Sequence, residues 1–291
     1  MRHVMKLRLI MALAAALGAV GTWRVQAHED LLARIATITA QLSTNENNMD
    51  ALLQRADLYR LHGNWAASRT DYAAVQKLRP DSADRLFGWA QVNADAGDYP
   101  TARAAYDEFS SRFPTNGPAF IGRARVLTQL GERKAAITDY SRGLALLTNP
   151  QPEEFLARAS LQATEFGPDE AIKGLDEGLA RLGWVVTFQR VAIDYELKRQ
   201  RPDLALARLE TILARANRKE MWLAWKGELL QAAGKAAEAQ EALAAAIKAI
   251  EALPPRMRTS PGMVELRAKV DRLMAPPRGD QSAGKTQTTT P

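Results

Sequence analysis

Cysteine is absent from the 291 residues. Disulfides, thiolate metal sites, thiol nucleophiles and a lipidated N-terminal cysteine are therefore excluded. Histidine is scarce, with three in the chain. Beyond residue 27 only His28 and His62 remain, far apart in the sequence. Neither H-E-x-x-H nor G-x-S-x-G occurs, and no His/Asp cluster has metal-ligand spacing. After residue 27 no apolar run approaches the roughly 20 residues that a spanning helix needs. Charge of one sign is also lacking over most of the length. Of the formal +6, residues 1–27 supply +4 through Arg2, Lys6, Arg8 and Arg24, and the other 264 residues carry +2. A body so near neutral makes no case for nucleic acid as partner. Adjacent acids do occur, as in Glu153-Glu154, Asp169-Glu170 and Asp176-Glu177. Neighbours on a helix diverge by about 100°, so these read as solvated charges rather than acid/base couples. The chain is expected to be no enzyme and to carry no cofactor or metal.

What is present is ordinary for a soluble fold: 46% hydrophobic and 25% charged residues. The start reads as an export address. Arg2, Lys6 and Arg8 precede an uncharged run of 12 residues, Leu9 to Val20, and Val25-Gln26-Ala27 fits a small-x-small cleavage site. Residues 1–27 are therefore expected to be a signal peptide, with the mature chain beginning at His28. In a Gram-negative cell that places the protein in the periplasm. The alternative is an N-terminal membrane anchor facing the periplasm, which Arg24 and the short apolar run argue against. With no disulfide available, packing alone must hold the fold.

The rest repeats. The column Ser68, Ala102, Ala136, Ala171, Ala205, Ala239 has spacings of 34 or 35. Twelve residues upstream lie Ala56, Ala90, Ala124, Ala159, Ile193 and Gly227, and four downstream lie Tyr72, Tyr106, Tyr140, Leu175, Leu209 and Leu243. Turn glycines recur at Gly63, Gly97, Gly131, Gly167 and Gly234, and Pro80 and Pro114 close the first two units. Apolar residues spaced by three and four on both sides of each glycine indicate two helices per unit. The small residues let the helices approach, and the Tyr or Leu fills the space against the next unit. One hairpin cannot bury its own apolar face, so each must lean on its neighbours.

These columns resemble the tetratricopeptide repeat family in unit length and helix–turn–helix pattern. The resemblance implies an all-α, right-handed α-solenoid of about six repeats over residues 49–253, near 49–82, 83–116, 117–151, 152–185, 186–219 and 220–253. The fifth unit departs most. Its turn, Arg199-Gln200-Arg201-Pro202, lacks glycine, and bulky Ile193 fills the small column. Another helical-hairpin family with degenerate repeats is the alternative for units four to six. Residues 28–48 read as an N-terminal capping helix and linker, and residues 254–274 as a C-terminal capping helix. Residues 275–291 are expected to be disordered. Gly279 to Thr286 in that tail spells G-x-x-x-x-G-K-T, but no strand or helix flanks it, so it is not read as a nucleotide site.

The resemblance also implies a concave face built from the first helix of each unit. Its phase selects Leu53, Asp57, Arg60, Phe87, Gln91, Asp95, Ile121, Arg125 and Gln129, then Leu156, Ser160, Arg190, Asp194, Lys198 and Glu228. The core of the candidate groove is Leu53, Asp57, Arg60, Phe87, Gln91, Arg125, Gln129, Arg190 and Asp194. Mixed apolar and charged lining suits a peptide or partner protein held by a non-catalytic scaffold. Leu53 and Asp57 stand where the family's carboxylate clamp uses Lys and Asn, so that clamp is not expected. The second reading is an accessory subunit of an envelope export or assembly machine that contacts glycan or peptidoglycan. Exposed aromatics would carry it, and Phe87, Trp222 and Trp225 are the candidates. Trp89, Tyr106 and Phe109 are read as packing residues.

Overall fold

The computed structural model describes residues 29–275. The expected signal peptide, most of the tail and the Gly279–Thr286 sequence lie outside the described residues. Within them every regular element is a helix. Helix α1 covers residues 29–44. Six hairpins follow: α2 (Met49–Leu61) with α3 (Trp65–Leu78), α4 (Ala83–Asp95) with α5 (Tyr99–Arg112), α6 (Gly117–Gln129) with α7 (Arg133–Leu146), α8 (Pro152–Glu165) with α9 (Pro168–Leu182), α10 (Val186–Lys198) with α11 (Pro202–Arg215), and α12 (Glu220–Ala232) with α13 (Ala236–Glu251). Short α14 (Pro255–Arg258) and α15 (Pro261–Met274) end the described chain. The helices form two compact units, divided between Glu154 and Phe155.

In the first unit the repeat columns become the core. Ala56, Ala90, Ala102, Ala124, Ala136 and Ser68 are fully buried, and Tyr72, Tyr106 and Tyr140 are at most 3% exposed. Ile35, Ile38 and Leu42 of α1 pack on Leu52, Leu58 and Val75 of the first hairpin. Ser68 fits its alanine column because its hydroxyl donates to the Ala56 carbonyl at 2.8 Å. Helix starts are capped by side chains that accept backbone N–H groups: Asn48, Ser82 and Asn116 on inner helices, Asn64 and Asp98 on outer ones. Each such cap contributes about 1 kcal/mol.

The second unit buries the same columns, with Ala171, Leu175, Ile193, Ala205, Leu209, Ala239 and Leu243 fully covered. Its helix starts lack side-chain caps at Gly167, Val185, Arg201, Lys219 and Lys235. Val270 of α15 is fully buried in a cluster with Ala224, Leu243 and Ala246.

The glycine-free fifth turn keeps the geometry of the first, second, third and sixth. The turn glycines have φ between 74° and 95°, and Gln200 stands at 57°. Gly63 and Asn64 donate back to Arg60 and Tyr59 at 3.0 and 2.8 Å, and Gln200 and Arg201 donate to Leu197 and Glu196 at 2.9 Å each. The turn is dictated by these two bonds, and a left-handed glutamine is tolerated at a cost. Gln200→Gly is expected to raise stability by about 0.5–1 kcal/mol. A urea midpoint that stays put or falls would contradict that strain.

Candidate functional site

Inner helices α2, α4 and α6 carry the first-unit candidates at helical spacing on one stripe. Leu53, Asp57, Arg60, Phe87 and Gln91 border a hollow of about 610 Å3. Arg60, Gln91, Arg125 and Gln129, with Asp95 and Tyr106, border a second of about 260 Å3. A third of about 290 Å3 shares Phe87, Gln91 and Arg125 and adds Asn149, Gln151 and Glu154. Gln91 borders all three, so they adjoin as one trough.

Ile121 borders the third hollow as buried floor, not as an exposed side chain. It is 4% exposed, and a Cβ at Gly143 would run into its side chain. Phe87 is floor rather than free platform, with its ring 5.1 Å from Phe109 and 6.1 Å, edge-on, from Tyr106. Tyr106 and Phe109 are themselves buried.

The charges in the trough are tied down in part. Arg60 Nη1 donates to Asp95 Oδ2 at 2.7 Å, and Arg125 Nη2 to Glu154 Oε1 at 3.3 Å. The Tyr72 hydroxyl donates to Asp57 Oδ1 at 2.5 Å. Burial, with a smaller push from Asp95, raises the Tyr106 phenol to about 12. Below pH ~10 the phenol is neutral folded and unfolded, so full stability is present. Between pH ~10 and 12 the unfolded chain ionises first, and about 3 kcal/mol is lost. Tyr106→Phe is expected to flatten that part of the decline in urea unfolding measured against pH.

The second unit holds Arg190 and Asp194 on α10. With Trp222, Trp225, Glu228 and Lys269 they border a hollow of about 400 Å3. The two indoles lie 6.1 Å apart at 38°, and Lys269 pairs with Glu228 at 2.6 Å. Lys198 lies over the Tyr195 ring at 5.1 Å, and Leu156 and Ser160 lie outside this hollow.

The adjacent acids are more engaged than solvated charges. Glu154 is 8% exposed, because one carboxylate oxygen accepts the Gln151 N–H at 2.5 Å while the other faces Arg125. Asp176 takes both arms of Arg208 at 2.8 Å, Glu177 pairs with buried Arg158 at 2.6 Å, and Asp169 with Arg199 at 2.7 Å. In the pairs Asp169-Glu170 and Asp176-Glu177 the two carboxylates hold different cations, which suits structure and not proton transfer.

Sequence reasoning passed over Asp50 and Asp84, which border the 610 Å3 hollow and stand one 34-residue repeat apart. It also passed over Lys269 on α15. Among the described residues no helix is long and apolar enough to cross a membrane.

A tetratricopeptide repeat family model matches residues 50–82. Comparison with curated proteins gives no match. Among solved structures the chain is similar to the C-terminal part of a tetratricopeptide repeat-containing protein from Cytophaga hutchinsonii, at 14% identity and TM-score 0.62, covering 81% of this chain and 94% of that one. It is similar to a tetratricopeptide repeat protein from Parabacteroides merdae at 15% identity and TM-score 0.50, covering 84% and 93%. It is also similar to PilW, a type IV pilus biogenesis factor, at 16% identity and TM-score 0.53, covering 64% and 86%. At these identities the likeness shows the fold: a tetratricopeptide-like stack of helical hairpins. Tetratricopeptide repeat proteins are non-catalytic scaffolds that bind peptides or partner proteins.

Proposed function

We propose that this tetratricopeptide-like chain is an envelope scaffold that holds an extended segment of a partner protein in the trough along α2, α4 and α6. The observation that carries the reading is the convergence there of Leu53, Asp57, Arg60, Phe87, Gln91, Arg125 and Gln129. Apolar floor and fixed ion pairs together supply pockets for side chains and a register for the backbone. Export rests on residues 1–27, whose basic start, apolar run and Val25-Gln26-Ala27 ending fit a cleaved signal. Affinity capture from the envelope fraction tests the scaffold. The double change Leu61→Ala and Gln91→Ala, which alters the trough without changing its charge, is expected to cut partner recovery at least tenfold, and an unchanged capture pattern would remove the trough from the account. Intact mass of the purified protein tests export: a chain starting at His28 supports it, and retention of residues 1–27 supports the anchored alternative.

A glycan-contacting role is the second reading. Trp222 and Trp225 favour it, because they share a hollow with the polar groups of Arg190 and Asp194. Retention on purified sacculi that is lost in Trp222→Ala would support it.

A further inference from the structure

The following rests on the trough receiving a partner segment and concerns which segment it receives. Outside the described residues stand six cations, Arg2, Lys6, Arg8, Arg24, Arg278 and Lys285, and one acid, Asp280. Those account for nearly all of the net +6, so the described body is close to neutral. The trough is not. Its borders hold the carboxylates of Asp50, Asp57, Asp84, Asp95 and Glu154 and the guanidiniums of Arg60 and Arg125. Both guanidiniums are committed, Arg60 to Asp95 and Arg125 to Glu154. Among the described residues Asp50, Asp57 and Asp84 make no ion pair, and Asp57 is held by the neutral Tyr72 hydroxyl alone.

These three carboxylates surround the 610 Å3 hollow, which lies within the range of about 300–1,000 Å3 usual for ligand pockets. Leu53 and Phe87 form its floor, and Leu61, 66% exposed, forms its lip. Helix polarity explains an acid in the first turn of α2 and of α4. It does not require one, because Pro118 fills the same repeat position in α6. Nor does it explain Asp57, which sits in mid-helix. Among the described residues no three acidic or imidazole groups stand close enough to hold a metal ion. The carboxylates are thus spread for an extended cationic chain and not for a point charge. Lysine and arginine match both features, since their stems lie on apolar surface while the head reaches for carboxylates.

We infer that the Asp50–Asp57–Asp84 hollow receives a basic segment of the partner, with lysine or arginine next to an aliphatic residue. Charge selects this occupant over an acidic tail, which would place like charges face to face.

Fluorescence anisotropy on the full chain tests it with three labelled dodecapeptides, four repeats each of Lys-Leu-Ser, Gln-Leu-Ser and Glu-Leu-Ser. The lysine peptide is expected to bind at least tenfold tighter than either of the others, with an advantage that shrinks as salt rises. Asp50→Asn with Asp84→Asn is expected to erase that advantage; both are exposed, and the caps Asn48 and Ser82 stay in place. Leu61→Ala with Gln91→Ala, which changes no charge, is expected to weaken all peptides that bind. Equal binding of the lysine and glutamine peptides, still sensitive to Leu61 and Gln91, would overturn the charge assignment and leave the trough standing. Binding indifferent to Leu61 and Gln91, or no binding of any peptide, would overturn both.

Discussion

Gly88→Ala and Gly122→Ala are each expected to lower stability by about 2–3 kcal/mol. Helix propensity alone gives the opposite sign, since alanine in place of glycine inside a helix normally adds about 0.5–1 kcal/mol. The difference lies in the neighbour. A Cβ at Gly88 would run into the phenol of Tyr72, and one at Gly122 into the phenol of Tyr106. Both rings are rigid and nearly fully buried, so they cannot swing aside without opening the core. Each tyrosine therefore plugs from one hairpin into the inner helix of the next, and the glycine is the socket. A double-mutant cycle separates this from a local helix effect. Tyr106→Leu shortens the plug, and Gly122→Ala in that background is expected to cost less by about 1 kcal/mol or more. Additive costs would mean the ring and the glycine are not coupled.

Asp71→Ala is the second large loss, about 2–3 kcal/mol by the usual worth of hydrogen bonds to charged groups. Asp71 is 3% exposed and takes Arg55 Nη2 and Nε at 2.7 and 2.8 Å. Arg55 Nη1 also donates to Thr39 at 3.1 Å. One guanidinium thus ties α1, α2 and α3 together. Removing the carboxylate leaves a half-covered cation with a single hydroxyl, so α1 is expected to exchange its amides faster as well. Replacing both partners by apolar residues, Arg55→Met with Asp71→Leu, is expected to recover much of the loss. Urea unfolding and hydrogen exchange over residues 29–44 measure both effects, and an Asp71→Ala chain with unchanged midpoint would contradict the assignment. The same bidentate pair recurs two repeats later as Arg123 and Asp139, at 2.6 and 2.8 Å.

The hairpins were legible because their columns repeat. Ala56, Ser68 and Tyr72 and their successors predict helices, turns and burial from period alone. The helix caps were equally available: Asn48, Ser82 and Asn116 are spaced by 34, as are Asn64, Asp98 and Glu132, although Glu132 makes no cap bond. Gly88 and Gly122 also share the period, but a period does not say what a residue faces. That needs the path of the next hairpin. The Arg–Asp pairs were hidden for a related reason: 16 residues separate partners that meet only across the turn. In the trough, phase picked Asp57, Arg60 and Ile121, all of which border its hollows, but it did not say that Ile121 would be buried floor, because one helix step separates the groove edge from the core. Asp50 and Asp84 were masked by their first-turn position, where an acid has a ready local explanation.

The central claim is that the inner face of the first unit is where a partner lies. Site-specific photo-crosslinking in the native cells tests it most directly, with a photoreactive side chain placed at Gln91 in one strain and at Thr138 in another. Gln91 borders all three hollows of the trough, and Thr138 is exposed on α7 outside them. The account predicts a discrete protein adduct from position 91 and none from position 138. Adducts from position 138 with none from position 91 would contradict it.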